Sequence, residues 1–222
     1  MALRLLLGVL LAAVFFHAPP AAAADRAFPS VVDPSKRYMF YMHGIYVERQ
    51  GAFEAYEYYP ILDAIEAEGF VVIGEARGLT NIGRYAAGVA KQVQQLLDAG
   101  VPSYHITVAG HSKGGLIALT VAALLAKPGV NYAAFSACGK AGTEYRGPVN
   151  KFIKQDAAKV DGVILVAWAE DDVTAGDCDE ALKRGKATWT NKLLPAGRGG
   201  NKFFYKPDPE WLTLLYAHAR GE

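Results

Sequence analysis

The stretch that decides the fold is AGHSKGGLIAL, residues 109–119. The apolar run HITV precedes it, and apolar residues at helical spacing follow at once, so we expect a strand, a sharp turn and a helix. Ser112 stands on that turn between Gly110 and Gly114, where small residues let the two backbones pass. This G-x-S-x-G pattern predicts a nucleophilic serine, and a plain glycine turn is the alternative interpretation.

The turn also predicts where negative charge would be stabilised. It raises the Ser112 hydroxyl at the start of the following helix, whose first N–H groups have no acceptor inside the helix. The N–H of Lys113 is therefore the first candidate oxyanion donor. A second candidate is the N–H of Ile45, because His43 and Gly44 close an earlier strand and the glycine lets that loop fold over the site. A phosphate-binding loop is not indicated, since Ser112 precedes the lysine.

Short apolar runs alternate with helical patterns along the rest of the chain. Strands are predicted over residues 37–44, 70–76, 105–110, 131–138, 162–169 and 186–194. Helices are predicted over 57–69, 81–99, 113–126, 147–158, 178–184 and 208–219. Because the strands are continuously apolar, both faces of the sheet must be covered. The fold class is therefore α/β, a mostly parallel sheet with helices on both faces.

The first 24 residues have the layout of a secretory signal peptide. Arg4 precedes a short apolar run, and four alanines end the segment at Ala24. An uncleaved anchor is the alternative, although the run is short for a membrane span. We expect cleavage after Ala24, a surface lead-in over residues 25–36, one domain over 37–222, and export to a periplasm or the medium.

Charge and composition narrow the range of partners. The chain has 23 basic and 22 acidic side chains, and removal of Arg4 balances them. We therefore expect no nucleic acid partner, and no membrane span after signal cleavage. No cofactor or metal is expected either.

The two cysteines, Cys138 and Cys178, suggest one disulfide in an exported protein. Such a bridge would stabilise the fold by roughly 4 kcal/mol in the chain-entropy model. It would join the ends of two strands, and we expect it to hold the nearby acidic loop in place.

That acidic loop follows the strand GVILVAWA and contains Glu170, Asp171 and Asp172. A carboxylate at the carboxyl end of a strand can orient a catalytic histidine, whereas a solvated acidic loop is the alternative. Asp172 is the first choice for the acid and Asp171 the second.

These motifs, in this order, resemble those of the α/β-hydrolase superfamily over residues 37–220. The WAEDD stretch is similar to the W-G-x-x-D form of that superfamily, which is why the acid is placed on Asp172. The resemblance implies a Ser–acid–His triad and hydrolysis of an ester, thioester or amide of a small acyl substrate. It does not supply the substrate, and some members of the superfamily catalyse nothing.

The chain departs from that pattern at the histidine. The loop after the last predicted strand contains none, and Asn201 stands in the expected place. Asparagine cannot take the serine proton. His43 and His218 are the candidate substitutes, His43 because of its location and His218 on the last helix, although each also fits a structural role. His105 lies at the far end of its strand, and His111 is expected to turn away from the serine oxygen.

Three interpretations remain open at this point. The chain is an active hydrolase with a displaced histidine, a weak hydrolase without a base, or a binding protein on a hydrolase scaffold. Tyr46, Phe53 and Tyr56 either shape the mouth of the pocket or pack its loop onto the sheet.

Overall fold

The computed structural model describes residues 24–53 and 55–222. The predicted signal peptide therefore lies outside the described residues, except for Ala24. The described helices include none that is both long enough and apolar enough to cross a membrane.

Six parallel strands form the central sheet, in the order β2-β1-β3-β4-β6-β8. Their bounds are β1 Tyr38–Met42, β2 Val71–Ile73, β3 Ile106–His111, β4 Asn131–Phe135, β6 Val163–Ala169 and β8 Thr188–Leu194. A separate antiparallel ribbon pairs β5, Cys138–Gly139, with β7, Ala175–Gly176. The predicted α/β class with a parallel sheet is confirmed.

Seven helices surround the sheet in the described part of the chain. Their bounds are α1 Ile45–Gln50, α2 Tyr58–Ala67, α3 Ile82–Asp98, α4 Lys113–Leu125, α5 Arg146–Gln155, α6 Asp179–Leu182 and α7 Pro209–Arg220. Short 3₁₀ helices occur at Ser103–His105, Ala157–Lys159 and Gly200–Tyr205. All six predicted helices are present, whereas α1 and the β5–β7 ribbon were not predicted.

Alternate residues of the strands belong to two hydrophobic cores, one on each face of the sheet. In β1, Tyr38 and Phe40 pack with α3 and α4, whereas Met39 and Tyr41 pack with α2 and α7. The α3 side also includes α5 and α6, and the α7 side includes α1. The sheet is covered on both faces, which explains why its strands are continuously apolar.

The register brings the carboxyl ends of the strands to one edge of the sheet. Met42 at the end of β1 pairs with Gly110 of β3, and His111 of β3 pairs with Phe135 of β4. The loops that follow β1, β3, β4 and β6 therefore meet at this edge, which is where ligands bind in open parallel sheets.

Candidate active site

Ser112 occupies the turn between β3 and α4. Its backbone has φ 54° and ψ −118°, a conformation that a non-glycine residue adopts only when its surroundings impose it. Its N–H donates to the carbonyl of Phe135 over 2.8 Å. The turn is therefore fixed between two strands, and the serine stands at the start of α4.

The two glycines that flank Ser112 are required by close backbone contacts. A Cβ atom on Gly110 would lie 2.5 Å from the carbonyl carbon of Gly114, and a Cβ on Gly114 would lie 2.0 Å from the oxygen of Met42. No side chain fits at either position, so the spacing of the sequence motif follows from the crossing of β3, α4 and the end of β1.

A cavity of about 860 Å³ opens beside this turn, and Ser112, Lys113 and Ile45 all line it. Lys113 is the first residue of α4 and Ile45 is the first residue of α1. A Cβ atom on Gly44 would lie 3.3 Å from Cβ of Ser112, so the loop before α1 lies directly against the serine. The structure thus brings the serine and both candidate oxyanion donors to one cavity.

Asp172 lies in the loop that follows β6, at the same edge of the sheet, and is 1% exposed. Its Oδ1 accepts hydrogen bonds from Thr174 N (2.8 Å), Thr174 Oγ1 (2.7 Å) and Ala175 N (3.0 Å). Its buried Oδ2 has no hydrogen-bond partner among the described residues. The carboxylate is therefore held firmly by one oxygen, while the other is left for a donor.

Asp171 has a different role, because its carboxylate binds the loop that follows β8. It accepts hydrogen bonds from the N–H groups of Gly197 (3.0 Å), Gly199 (3.3 Å) and Gly200 (3.2 Å). A Cβ atom on Gly200 would lie 3.1 Å from Cα of Asp172. Asn201, the next residue, is thus carried to the neighbourhood of Asp172 and lines the cavity.

Of the two candidate bases, His43 is buried and uses both ring nitrogens. Nε2 accepts from the N–H of Arg77 over 3.0 Å, so Nδ1 carries the proton and donates to the carbonyl of Gly44 over 2.8 Å. Burial, and then the charge of Arg77, lower the pKa of His43 to about 3. His43 does not line the cavity.

His218 lies towards the opposite end of the sheet. Its Nε2 donates to the carbonyl of Tyr132 over 2.9 Å, and burial lowers its pKa. Tyr132 precedes Phe135, the acceptor for Ser112, by three residues of β4, which corresponds to about 10 Å. Neither candidate histidine forms a hydrogen bond with the serine, because the described bonds of their ring nitrogens go to backbone groups elsewhere.

His111 is the histidine of the cavity wall among those that the structure describes. Its Nε2 donates to Oδ1 of Asn201 over 3.1 Å, and its Nδ1 accepts from the hydroxyl of Tyr56 over 3.2 Å. Burial lowers the pKa of His111 to about 4, although the bond to Asn201 and the charge of Asp172 act in the opposite direction. No described side chain forms a hydrogen bond with Oγ of Ser112, so His111 supports the loop of Asn201 rather than the serine.

A buried cluster of charges, which the sequence analysis did not predict, connects the elements around the serine. Glu48 of α1 has a fully buried side chain, which accepts from Arg77 Nε (2.9 Å) and from Lys113 Nζ (2.6 Å). Lys113 also donates to the carbonyl of Thr80 over 2.6 Å, and Arg77 donates to the carbonyl of His43. This Glu48 cluster ties α1, the loop before α3 and the start of α4 together.

The disulfide between Cys138 and Cys178 is present, with the two Cα atoms 5.4 Å apart. It fastens the first residue of β5 to Cys178, two residues after the end of β7. β7 itself begins at Ala175, whose N–H binds the carboxylate of Asp172. The bridge is thus connected to the acidic loop through the β5–β7 ribbon.

The three aromatic residues of the α1 region differ in position. Tyr46 lines the cavity, whereas Tyr56 is fully buried against His111. Phe53 is 73% exposed and packs against Tyr59. Of the three, only Tyr46 belongs to the cavity wall, and Tyr205 joins it there.

Comparison with known proteins agrees with this architecture. The family described as Lipase (class 3) matches residues 28–141, just over half of the chain. The match includes Ser112 and the Gly44 loop and ends before Asp172 and Asn201. A search of curated proteins found no significant match.

Several solved structures share the fold at low sequence identity. A phospholipase/carboxylesterase from Dyadobacter fermentans matches with a TM-score of 0.57 and 12% identity over 90% of this chain and 98% of its own. SOBER1 from Arabidopsis thaliana matches with a TM-score of 0.54 and 12% identity, over 84% of this chain and 99% of its own. A putative dienelactone hydrolase from Klebsiella pneumoniae matches with a TM-score of 0.57 and 13% identity, over 86% of this chain and 90% of its own. The chain therefore belongs to the class 3 lipase family, within the α/β-hydrolase superfamily.

Proposed function

We propose that the chain is a serine hydrolase that cleaves a carboxylic ester or thioester through Ser112, with slow turnover. The observation that supports it most is the strained turn of Ser112 at a cavity that the first residues of α1 and α4 also line. In this proposal the N–H groups of Ile45 and Lys113 bind the oxygen that becomes negative in the transition state.

The reaction proceeds through an acyl-enzyme. Oγ of Ser112 attacks the carbonyl carbon, the bond to the alcohol or thiol breaks, and water later releases the acid. The proton of Ser112 passes to water, because Asn201 stands where the family pattern has a histidine and cannot accept it. An oxyanion site and substrate binding alone still accelerate the reaction about 10³–10⁴-fold over the rate in water. Catalysis in this proposal is therefore weak rather than absent.

A fluorophosphonate probe tests this proposal, because it labels a serine that an oxyanion site has activated. We expect slow, stoichiometric labelling of the purified protein that Ser112→Ala abolishes. Replacement of His218 should leave the labelling rate unchanged, since its ring is bonded to Tyr132, at the far end of β4 from the serine. Absence of labelling, while a known serine hydrolase reacts fully, would reject the hydrolase proposal.

A binding protein on the same scaffold is the second candidate. It is favoured by one observation, that no described side chain forms a hydrogen bond with Oγ of Ser112. This candidate predicts that an ester ligand binds with equal affinity to the wild type and to Ser112→Ala and that neither protein consumes it, as calorimetry and chromatography of the ligand would measure.

We also propose that the chain is exported. The Cys138–Cys178 disulfide is compatible with an oxidising compartment. Thiol titration of the unfolded, unreduced protein should find no free thiol, and two free thiols would contradict the bridge.

A further inference from the structure

The cavity around Ser112 carries an excess of positive charge that the rest of the chain does not have. Four basic residues line it, from four different segments, and one acidic residue: Arg49, Lys113, Lys151, Lys202 and Asp156. Over the full sequence the two signs nearly balance, with 23 basic and 22 acidic side chains. The excess is therefore local to this cavity.

Three of these cations are available to a ligand. Lys113 is already paired with Glu48. The one acidic residue of the wall, Asp156, has its Oδ1 4.0 Å from Nζ of Lys159, which is not one of the four. Arg49, Lys151 and Lys202 are exposed and form no ion pair with any carboxylate in the part of the chain that the structure describes. They approach the cavity from α1, from α5 and from the turn after Asn201.

The rest of the wall is largely apolar. Leu116 of α4 and Phe152 of α5 are buried side chains of the wall, and Ile82, Ala137 and Pro148 add further apolar surface. An acyl chain would fit such a surface, because its burial removes apolar area from water. The cavity thus combines an apolar interior with unpaired cations.

We propose that the substrate of this site is an ester that carries an anionic group, a carboxylate or a phosphate, together with an apolar chain. This inference rests on the proposed function for the ester and on the charge of the cavity for the anion. A cleft lined by one sign of charge concentrates the field within it and raises the local concentration of ligands of opposite charge. A neutral ester of the same size lacks this attraction.

Binding to the Ser112→Ala variant tests the anion without requiring catalysis. We expect octanoate and octyl phosphate to bind at least about fivefold more tightly than octanamide at low salt, and this preference to shrink at about 0.5 M NaCl, where charges are screened within a few ångströms. The tighter of the two anions identifies the source of the charge. Equal binding of all three ligands would overturn the proposal.

Two lysines of α5 provide a matched pair of variants. Lys151 and Lys154 are both exposed on the same helix, but only Lys151 lines the cavity. Lys151→Glu should weaken octanoate binding by about fivefold or more and leave octanamide binding unchanged, as expected for charges within a Debye length. Lys154→Glu should change neither. An equal loss in both variants would show that the effect comes from net charge, and it would also overturn the proposal.

Hydrolysis by the wild type then locates the anion within the ester. The acyl side is tested by 4-nitrophenyl hydrogen glutarate against 4-nitrophenyl pentanoate, and the alcohol side by 4-butanoyloxybenzoate against its methyl ester. The charged member of one pair should give the higher kcat/KM, and a preference for the neutral member of both pairs contradicts the inference. If no ester is hydrolysed and Ser112 is not labelled, the proposed hydrolase fails, whereas the anion preference of the Ser112→Ala variant still stands.

Discussion

Asp172 and Asn201 lie on adjoining loops, and between them one carboxylate oxygen is left without a donor. Oδ1 of Asp172 has three hydrogen bonds, whereas Oδ2 is buried and has none among the described residues. A buried acceptor of this kind carries a cost of about 1–3 kcal/mol. In the proposed hydrolase, Asp172 would be the acid of a triad whose base is replaced by Asn201.

This arrangement predicts a gain of activity from one substitution. Asn201→His should raise the rate of 4-nitrophenyl ester hydrolysis by about 10²-fold or more, because general base catalysis contributes about 10²–10⁴. The added activity should fall below an apparent pKa near 6.5, the ordinary value for histidine.

Asn201→Gln serves as the control for that variant, since it keeps the amide and adds no base. Asp172→Asn in the Asn201→His background should remove most of the gain, because the imidazole then loses its carboxylate partner. A folded Asn201→His protein with unchanged activity would contradict this reading of the site.

Among the helices and loops, the Glu48 cluster is the feature that joins the two candidate oxyanion segments. Glu48 lies on α1, which begins at Ile45, and it binds Lys113, which begins α4. Removing one partner of a buried ion pair leaves the other charges uncompensated, at a cost of about 3–5 kcal/mol. We therefore expect Glu48→Gln to lower the free energy of unfolding by about that amount in urea denaturation.

The matched control is Glu66→Gln, which removes a pair between Arg26 and an exposed carboxylate. That change should lower the free energy of unfolding by no more than about 1 kcal/mol. Similar losses in the two variants would show that the Glu48 cluster is not a buried network of the kind described.

In the folded fraction, Glu48→Gln should also slow fluorophosphonate labelling of Ser112, since Ile45 and Lys113 are no longer held together.

The disulfide is expected to stabilise the fold as well as the acidic loop. Its sequence separation of 40 residues corresponds to about 4 kcal/mol in the chain-entropy model. A variant with both Cys138→Ser and Cys178→Ser should lose stability of this order in urea denaturation under oxidising conditions. Reduction of the wild type with a phosphine should reproduce the loss, and an unchanged midpoint after full reduction would contradict it.

Much of this architecture could be predicted from local patterns. The strands and the long helices follow from apolar runs and helical spacing, and the lack of a histidine in the loop of Asn201 is visible in the sequence itself. The Glu48 cluster could not be predicted, because Glu48 in IYVERQ looks like an ordinary surface charge until Arg77 and Lys113 are brought to it. The β5–β7 ribbon was also missed, because strands of two residues carry no periodicity.

For the chain taken together, two buried histidines make stability depend on pH. The folded pKa values are about 3 for His43 and about 4 for His111, whereas an unfolded histidine titrates near 6.5. The unfolded state therefore binds more protons between these values. The stabilisation is complete above pH 6.5 and is lost as the pH falls towards 4.

Each of the two histidines should add up to about 1.4 kcal/mol per pH unit to the decline in unfolding free energy between pH 6 and pH 4.5. Urea denaturation at several pH values measures this slope. His43→Asn should reduce the slope by about that amount. If the unfolding free energies of the variant and the wild type change in parallel with pH, His43 titrates at the same pH in the folded and the unfolded protein, and the prediction is wrong.

The proximity of Asn201 to Asp172 has a consequence for how such proteins diverge. The codons for asparagine and histidine differ only at their first nucleotide. A lineage that retains the carboxylate of Asp172 can therefore gain or lose a histidine at position 201 through one transversion. The three N–H groups that Asp171 holds keep the loop shaped in either case. If the proposed function holds, a full Ser–acid–His set is therefore one base change away from the present sequence.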